Sequence, residues 1–250
     1  MKLSKIVAGV VCSVTACAML TAQEQTVKKS DSSSSKSETT VENEYMSNVE
    51  DSIITELASA PDYDNKLVAL QYIEAAINDG RSSPEMMAAL DSLAGEGIST
   101  QSRTNGRVMN NFPDIRAKAC DLLGQVHTEE SKATLENVIK NDNEPMVLSS
   151  AIRALGEVGL NENGEVTKTI AWAEKRCAVL NPTSSLAFEV LVAYEKLADQ
   201  VEDKGALIQS VSAIATNYKY VRPVRLKAYD VLKKIQNGSS SKSSKDQPEK

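Results

Sequence analysis

Two stretches decide the fold: Pro113-Asp-Ile-Arg-Ala-Lys-Ala-Cys-Asp-Leu-Leu-Gly124 and Pro145-Met-Val-Leu-Ser-Ser-Ala-Ile-Arg-Ala-Leu-Gly156. They align without a gap at a spacing of 32 residues. Pro113 pairs with Pro145, Ile115 with Val147, Ala119 with Ala151, Leu123 with Leu155, Gly124 with Gly156 and Val126 with Val158. A fixed period of this size marks a recurring supersecondary unit. Proline starts a helix where its missing N–H is no loss. The alanine admits a neighbouring helix, and the Ile/Val and Leu positions fill the space between helices. The glycine is expected to end the helix in a left-handed conformation. A second amphipathic helix follows each copy: Leu135, Val138 and Ile139, then Val166, Ile170, Ala173, Cys177 and Leu180, then Leu207, Val211, Ile214 and Tyr218. One such pair cannot bury its apolar face alone, but stacked pairs can, which predicts an all-α solenoid of antiparallel helix pairs.

Working outward, a third copy runs from Pro223 to Leu232 after deletion of one residue near its start. Weaker copies are Asn65–Ile73 and the helix after Pro182, with Leu186, Val190, Leu191 and Tyr194. Near the N-terminal end, Met46, Val49, Ile53 and Leu57 step by helical intervals until Ala60-Pro61. Leu67, Leu70, Ile73 and Ile77 predict a second helix, and Met87, Leu90 and Leu93 a third that starts at Ser83-Pro84. No segment reads as a strand. Composition agrees: aromatic residues are only 4% of 250, whereas β-sandwiches and barrels lean on them.

The termini differ from this body. Met1–Lys5 is a short basic segment and Ile6–Leu20 an apolar run, the pattern of an export leader of bacterial type. It is shorter than a comfortable membrane span, so no span is expected in the mature chain. Cleavage after Ala22 is the preferred reading. The rival is Val14-Thr15-Ala16-Cys17, a loose lipobox that would leave a lipid anchor at Cys17. Either route places the protein in the periplasm or outer cell envelope. The expected organisation is a signal peptide over 1–22, a Ser-rich disordered linker over 23–44, the solenoid over 45–236, and a disordered Ser/Lys tail over 237–250. The formal charge is −6, and losing Lys2 and Lys5 with the leader makes it −8. An acidic chain without a basic stripe argues against nucleic acid. Cleavage after Ala22 leaves Cys120 and Cys177, both on apolar helix stripes, where a free thiol acts as a small hydrophobe; pairing between them stays open.

The run Asp114–Gly124 and its copies resemble the short HEAT-like repeat, in the variant named after phycobilisome lyases. That pattern has an acidic or Pro start, a Val/Ile-Arg step, an Ala, then Leu-Gly. The likeness is strong over 113–160 and fair over 65–236. It departs at Leu148, where the pattern would carry Arg, and at Lys233, where it would carry Gly. The resemblance implies a scaffold fold that does not by itself set function.

Chemistry is sparse. His127, the only histidine, sits just past Gly124, where it suits a polar helix end. Zinc sites and catalytic triads need clusters this chain does not spell out, so neither a metal, a cofactor nor a catalytic residue is expected. Asn161-Glu-Asn-Gly-Glu165 is a turn, too short for a calcium loop. Two candidates remain for protein binding. The first is the long connection 97–112, which holds Arg103, Arg107 and Asn111 but no acid. Long loops in compact arrays are often functional, and Arg suits bidentate capture of carboxylate or phosphate. The second is Trp172, with Lys168, Lys175 and Arg176 on the same helix. The HEAT resemblance implies that such second helices tend to line the concave face, and tryptophan is enriched in binding hot spots; packing at an inter-repeat seam is the competing reading. The expectation is a non-catalytic interaction scaffold whose partner is another envelope protein. A structural spacer or assembly chaperone is the alternative, with a lyase- or transferase-type enzyme behind both.

Overall fold

The computed structural model describes residues 40–243 apart from Glu202, with side chains as far as Asn237. The expected leader, and the linker up to residue 39, lie outside the described residues. The described residues form one compact unit. Its helices are α1 (Val41–Ser59), α2 (Tyr63–Asn78), α3 (Pro84–Ala94), α4 (Pro113–Gln125), α5 (Glu129–Asn141), α6 (Pro145–Val158), α7 (Glu165–Leu180), α8 (Ser184–Leu197), α9 (Gly205–Thr216) and α10 (Arg222–Ser243). Two short strands, β1 (Arg103–Thr104) and β2 (Arg107–Val108), stand between α3 and α4.

The helices stack in two layers. In one, α2, α4, α6, α8 and α10 pack in succession; in the other, α3, α5, α7 and α9 do the same. Helix α1 closes the near end against α2 and α3. This is the all-α solenoid that the 32-residue period predicts. Prolines 84, 113 and 145 each occupy the first turn of their helix. Ser83 and Thr128 cap α3 and α5, their hydroxyls accepting from the amides of Met86 and Ser131. Ile115, Ala119 and Leu123 are buried, as are their partners Val147, Ala151 and Leu155, and these layers form one continuous core.

The motif glycines correct the sequence reading. Gly124 and Gly156 lie inside α4 and α6, not beyond them. A Cβ on Gly124 would fall 2.9 Å from the Cα of Ala154, and one on Gly156 would fall 2.8 Å from the Cα of Ala193. Each glycine therefore lets the next helix of its layer approach backbone to backbone. The left-handed cap of α6 is Gly159, with φ of 71°. Lys233 now has a reason: it takes the glycine position in α10, and no described helix stacks on that helix's outer side.

Other departures come at helix ends or at the ends of the stack. The Met46, Val49, Ile53 stripe of α1 points outward; the buried face holds Asp51, Ile54 and Ala58. Leu180 and Tyr218, read as the ends of apolar stripes, are 72% and 88% exposed. Helix α10 continues as backbone through Asn237–Ser243, past the expected limit at 236; a packed helical stem extends because each added residue gains a hydrogen bond at little nucleation cost.

Candidate functional site

The segment between α3 and α4 is an ordered insertion, and its order begins with Asn105-Gly106. Both residues have positive φ, 52° and 79°, as a two-residue type I′ turn requires. The turn pairs β1 with β2 antiparallel, Arg103 opposite Val108 and Thr104 opposite Arg107. The expectation of no strand is corrected here, and Asn-Gly was the signal for it. Side chains alternate along strands, so this register places Arg103 and Arg107 on opposite faces of the hairpin. They do not form one bidentate clamp. Arg103 donates to Gln101 Oε1 at 2.6 and 3.0 Å. Neither arginine has a carboxylate partner among the described residues.

Below the hairpin a buried polar cluster clasps the insertion to the stack. Asn110 accepts from the Ser102 amide at 2.8 Å and donates to Glu96 Oε1 at 2.6 Å and to the Thr100 carbonyl at 2.7 Å. Glu96 Oε2 accepts from Lys66 Nζ at 3.0 Å, and that ammonium also donates to the Ala58 carbonyl. Arg116 is 0% exposed. Its Nε donates to Asp142 Oδ2 at 2.7 Å, and its Nη1 to the Glu96 carbonyl and to Asn111 Oδ1 at 3.1 and 2.8 Å. Gly97, with φ of 73°, is forced: a Cβ there would fall 2.3 Å from the Asn110 carbonyl oxygen. The departure at Leu148 follows. The α5–α6 connection carries no insertion, so its counterpart of Arg116 has nothing to anchor and is an apolar core residue.

The α7 candidates are tied to the same place. Arg176 donates to the carbonyls of Ile139, Lys140 and Asp142, at the end of α5, where a cation is favoured. Its guanidinium carbon lies 4.5 Å from the Trp172 ring centroid, a cation–π contact. Trp172 and Arg176 therefore fasten the α5–α7 seam, although the indole stays 48% exposed. Lys168 and Lys175 are exposed, Lys168 reaching only the Asn163 carbonyl at 3.5 Å. Asn111 serves the clasp. The clasp beneath the hairpin and the Trp172 group thus meet at Asp142, which holds Arg116 with its carboxylate and Arg176 with its carbonyl. The sequence reading missed Lys66, Glu96 and Asp142, because nothing local distinguishes them from surface charges.

Beside the clasp, a polar cleft of about 230 Å³ opens between α3, α5 and the start of the insertion, lined by Asp91, Thr100, Thr134, Asn137 and Asn141 among others. Small-molecule sites run to roughly 300–1,000 Å³, so this one is sized for a side chain. Across the first layer the charges are already matched. Lys118 pairs with Glu74, Arg153 with Asp121 and Glu189, Lys196 with Glu157, and Glu195 with Lys227 and Lys234. These pairs join α2, α4, α6, α8 and α10 in turn.

The remaining candidates are structural. His127 Nδ1 lies 3.1 Å from the Gln125 carbonyl at the end of α4. Cys120 and Cys177 are free and buried, and burial pushes both thiols up from their usual range. Asn161 caps α7, its Oδ1 accepting from the amides of Val166 and Thr167. Among the described residues no group of three His, Cys, Asp or Glu could hold a metal ion, and no helix is long and apolar enough to cross a membrane. Between α7 and α9, Glu174 is 4% exposed and, among the described residues, its carboxylate accepts only from the Ser210 hydroxyl, at 3.5 Å. Desolvation raises its carboxyl above the usual range, with the Ser210 hydrogen bond opposing.

Residues 107–174, from β2 through most of α7, match the HEAT repeats family. The same two-layer helical stack continues on both sides of that segment, so the match and the fold together support a HEAT-like repeat architecture. No curated protein and no solved structure matches it.

Proposed function

We propose that this protein is a non-catalytic protein–protein interaction scaffold of the bacterial cell envelope, gripping its partner through the solenoid face and the 97–112 insertion. The observation that carries this reading is the contrast between the base and the tip of the insertion. The base is clasped by buried ion pairs, while the tip presents Arg103 and Arg107 to solvent without carboxylate partners. Rigid scaffolds that display exposed loop residues are the usual setting for recognition. Arginine favours a carboxylate-bearing surface, and the two opposed side chains would engage two separate groups. The envelope location rests on the leader reading of residues 1–22, processed after Ala22 or lipidated at Cys17. The resemblance to the phycobilisome-lyase variant concerns the repeat and brings no lyase chemistry with it. The test is capture from envelope fractions, wild type against an Arg103→Glu/Arg107→Glu double variant. The expected result is loss of one stoichiometric partner at an unchanged melting temperature. Capture of the same partner by the double variant overturns the proposal.

A further inference from the structure

Repeat stacks normally close with a polar outer face at each terminal repeat, which keeps them from stacking further. Neither end of this stack does so. On α1, Tyr45, Val49 and Ile53 recur every four residues beside Met46, and all four are exposed on the face opposite Ile54 and Ala58. Glu42 and Glu56 share that face, at helical spacings before Tyr45 and after Ile53. At the other end, α10 exposes Leu226 and Tyr229, with Tyr218 and Val221 just before the helix. Arg222 precedes Leu226 by four residues and Lys233 follows Tyr229 by four, so this face reads base, apolar, apolar, base.

The charges are opposite. Helix α1 carries Glu42, Glu44, Glu50, Asp51 and Glu56 and no base; α10, as far as Asn237, carries Arg222, Arg225, Lys227, Lys233 and Lys234 against one acid, Asp230. Some of these are already paired within the chain: Glu50 and Asp51 with Arg81, and Lys227 and Lys234 with Glu195. That leaves Glu42 and Glu56 on the outer face at one end and Arg222 and Lys233 on the outer face at the other, none of them in an ion pair among the described residues; Arg225 is half-buried, its guanidinium over the Tyr218 ring.

We infer that copies of this chain associate head to tail, the α10 end of one docking on the α1 end of the next and continuing the stack. The two surfaces are different and complementary, so the contact is heterologous and does not close on itself. Apolar burial supplies the attraction, and the opposed charges set which end meets which. This goes beyond the scaffold reading, since the hairpin is not part of the contact.

The test uses the chain as processed in the cell, its mature N-terminus read by mass spectrometry, in sedimentation velocity over a concentration series. Wild type is expected to form dimers and longer species as concentration rises, with weaker association at high salt. Val49→Glu/Ile53→Glu blocks one end and Leu226→Lys/Tyr229→Lys the other. Each variant alone is expected to stay monomeric, while an equimolar mixture forms a one-to-one dimer through the intact end of each partner. Circular dichroism melting of each variant checks the fold; should either variant unfold, Glu42→Lys/Glu56→Lys and Arg222→Glu/Lys233→Glu replace them, each expected to stay monomeric alone and, because the two reversals complement each other, to grow past the dimer when mixed. A wild type that stays monomeric throughout overturns the inference. So does a single-end variant that dimerises alone, since that contact would be symmetric.

Discussion

Where α4 meets α6, Gly124 rests on Ala154 closely enough that one methyl group would collide with backbone. Where α4 meets the insertion before it, Arg116 enters the core and binds Asp142, Asn111 and the Glu96 carbonyl. The first junction holds by subtraction of side chains and is copied 32 residues later, where Gly156 rests on Ala193. The second holds by a buried network that occurs once, where the chain leaves the array. A regular junction can be specified by two small residues. An irregular one must satisfy every polar group that the detour takes out of water, and this one does so with Lys66, Glu96, Asn110, Arg116 and Asp142.

The comparison breaks most readily at Arg116. Arg116→Ala leaves Asp142 buried without its cation, and a loss of about 3–5 kcal/mol is expected in urea unfolding. Arg116→Leu with Asp142→Asn, which makes this junction more like the one at Leu148, is expected to recover part of that loss while leaving the insertion loose. At the other junction, Gly124→Val is expected to cost about 1–3 kcal/mol by overpacking against Ala154. The same change at Lys233, Lys233→Val, has no neighbour to strike and is expected to fall within about 0.5 kcal/mol of wild type.

The α7–α9 junction sharpens the comparison as an intermediate case, an acid buried without a cation. Because the folded carboxyl of Glu174 is raised, folding takes up a proton in the window between its unfolded and folded values. Its stabilising contribution is full below the unfolded value and is lost as pH rises through the folded one. Glu174→Gln is expected to raise stability near pH 7 by about 1 kcal/mol and to flatten the pH dependence above the usual carboxylate range. Thermal melts of both proteins from pH 4 to 8 read this out. A small effect is also expected at Arg153→Ala, about 0–1 kcal/mol, because that half-exposed pair with Asp121 is screened by solvent.

These junctions also explain what could be read from the sequence. Pro113, Ile115, Ala119 and Leu123 were legible because repetition marks a position twice, and their burial follows from helical spacing alone. Gly124 was legible as important, but its job depends on Ala154, 30 residues away, and no local pattern reports that distance. The clasp was not legible, because Lys66, Glu96 and Asp142 come from three separate segments and become core residues only when those segments meet. The hairpin was legible in Asn105-Gly106 and was missed because the flanking strands are two residues each. In α1 the strongest apolar stripe faces outward, since helical periodicity reports that a face is apolar and not which neighbour covers it. Of the binding candidates, Arg103 and Arg107 stay without carboxylate partners at the tip, while Asn111 and Arg176 were chemically apt but committed to internal partners.

The most direct test is amide hydrogen exchange across the insertion. In the wild type, the amides of Gly97, Ser102 and Met109, bonded to Thr100, Asn110 and Ser102 respectively, are expected to be protected well beyond an exposed loop. Arg116→Ala is expected to remove that protection while the α6–α8 amides keep theirs. Free exchange across 97–112 in the wild type, or protection there that survives Arg116→Ala, would contradict the clasped insertion on which the proposed binding surface stands.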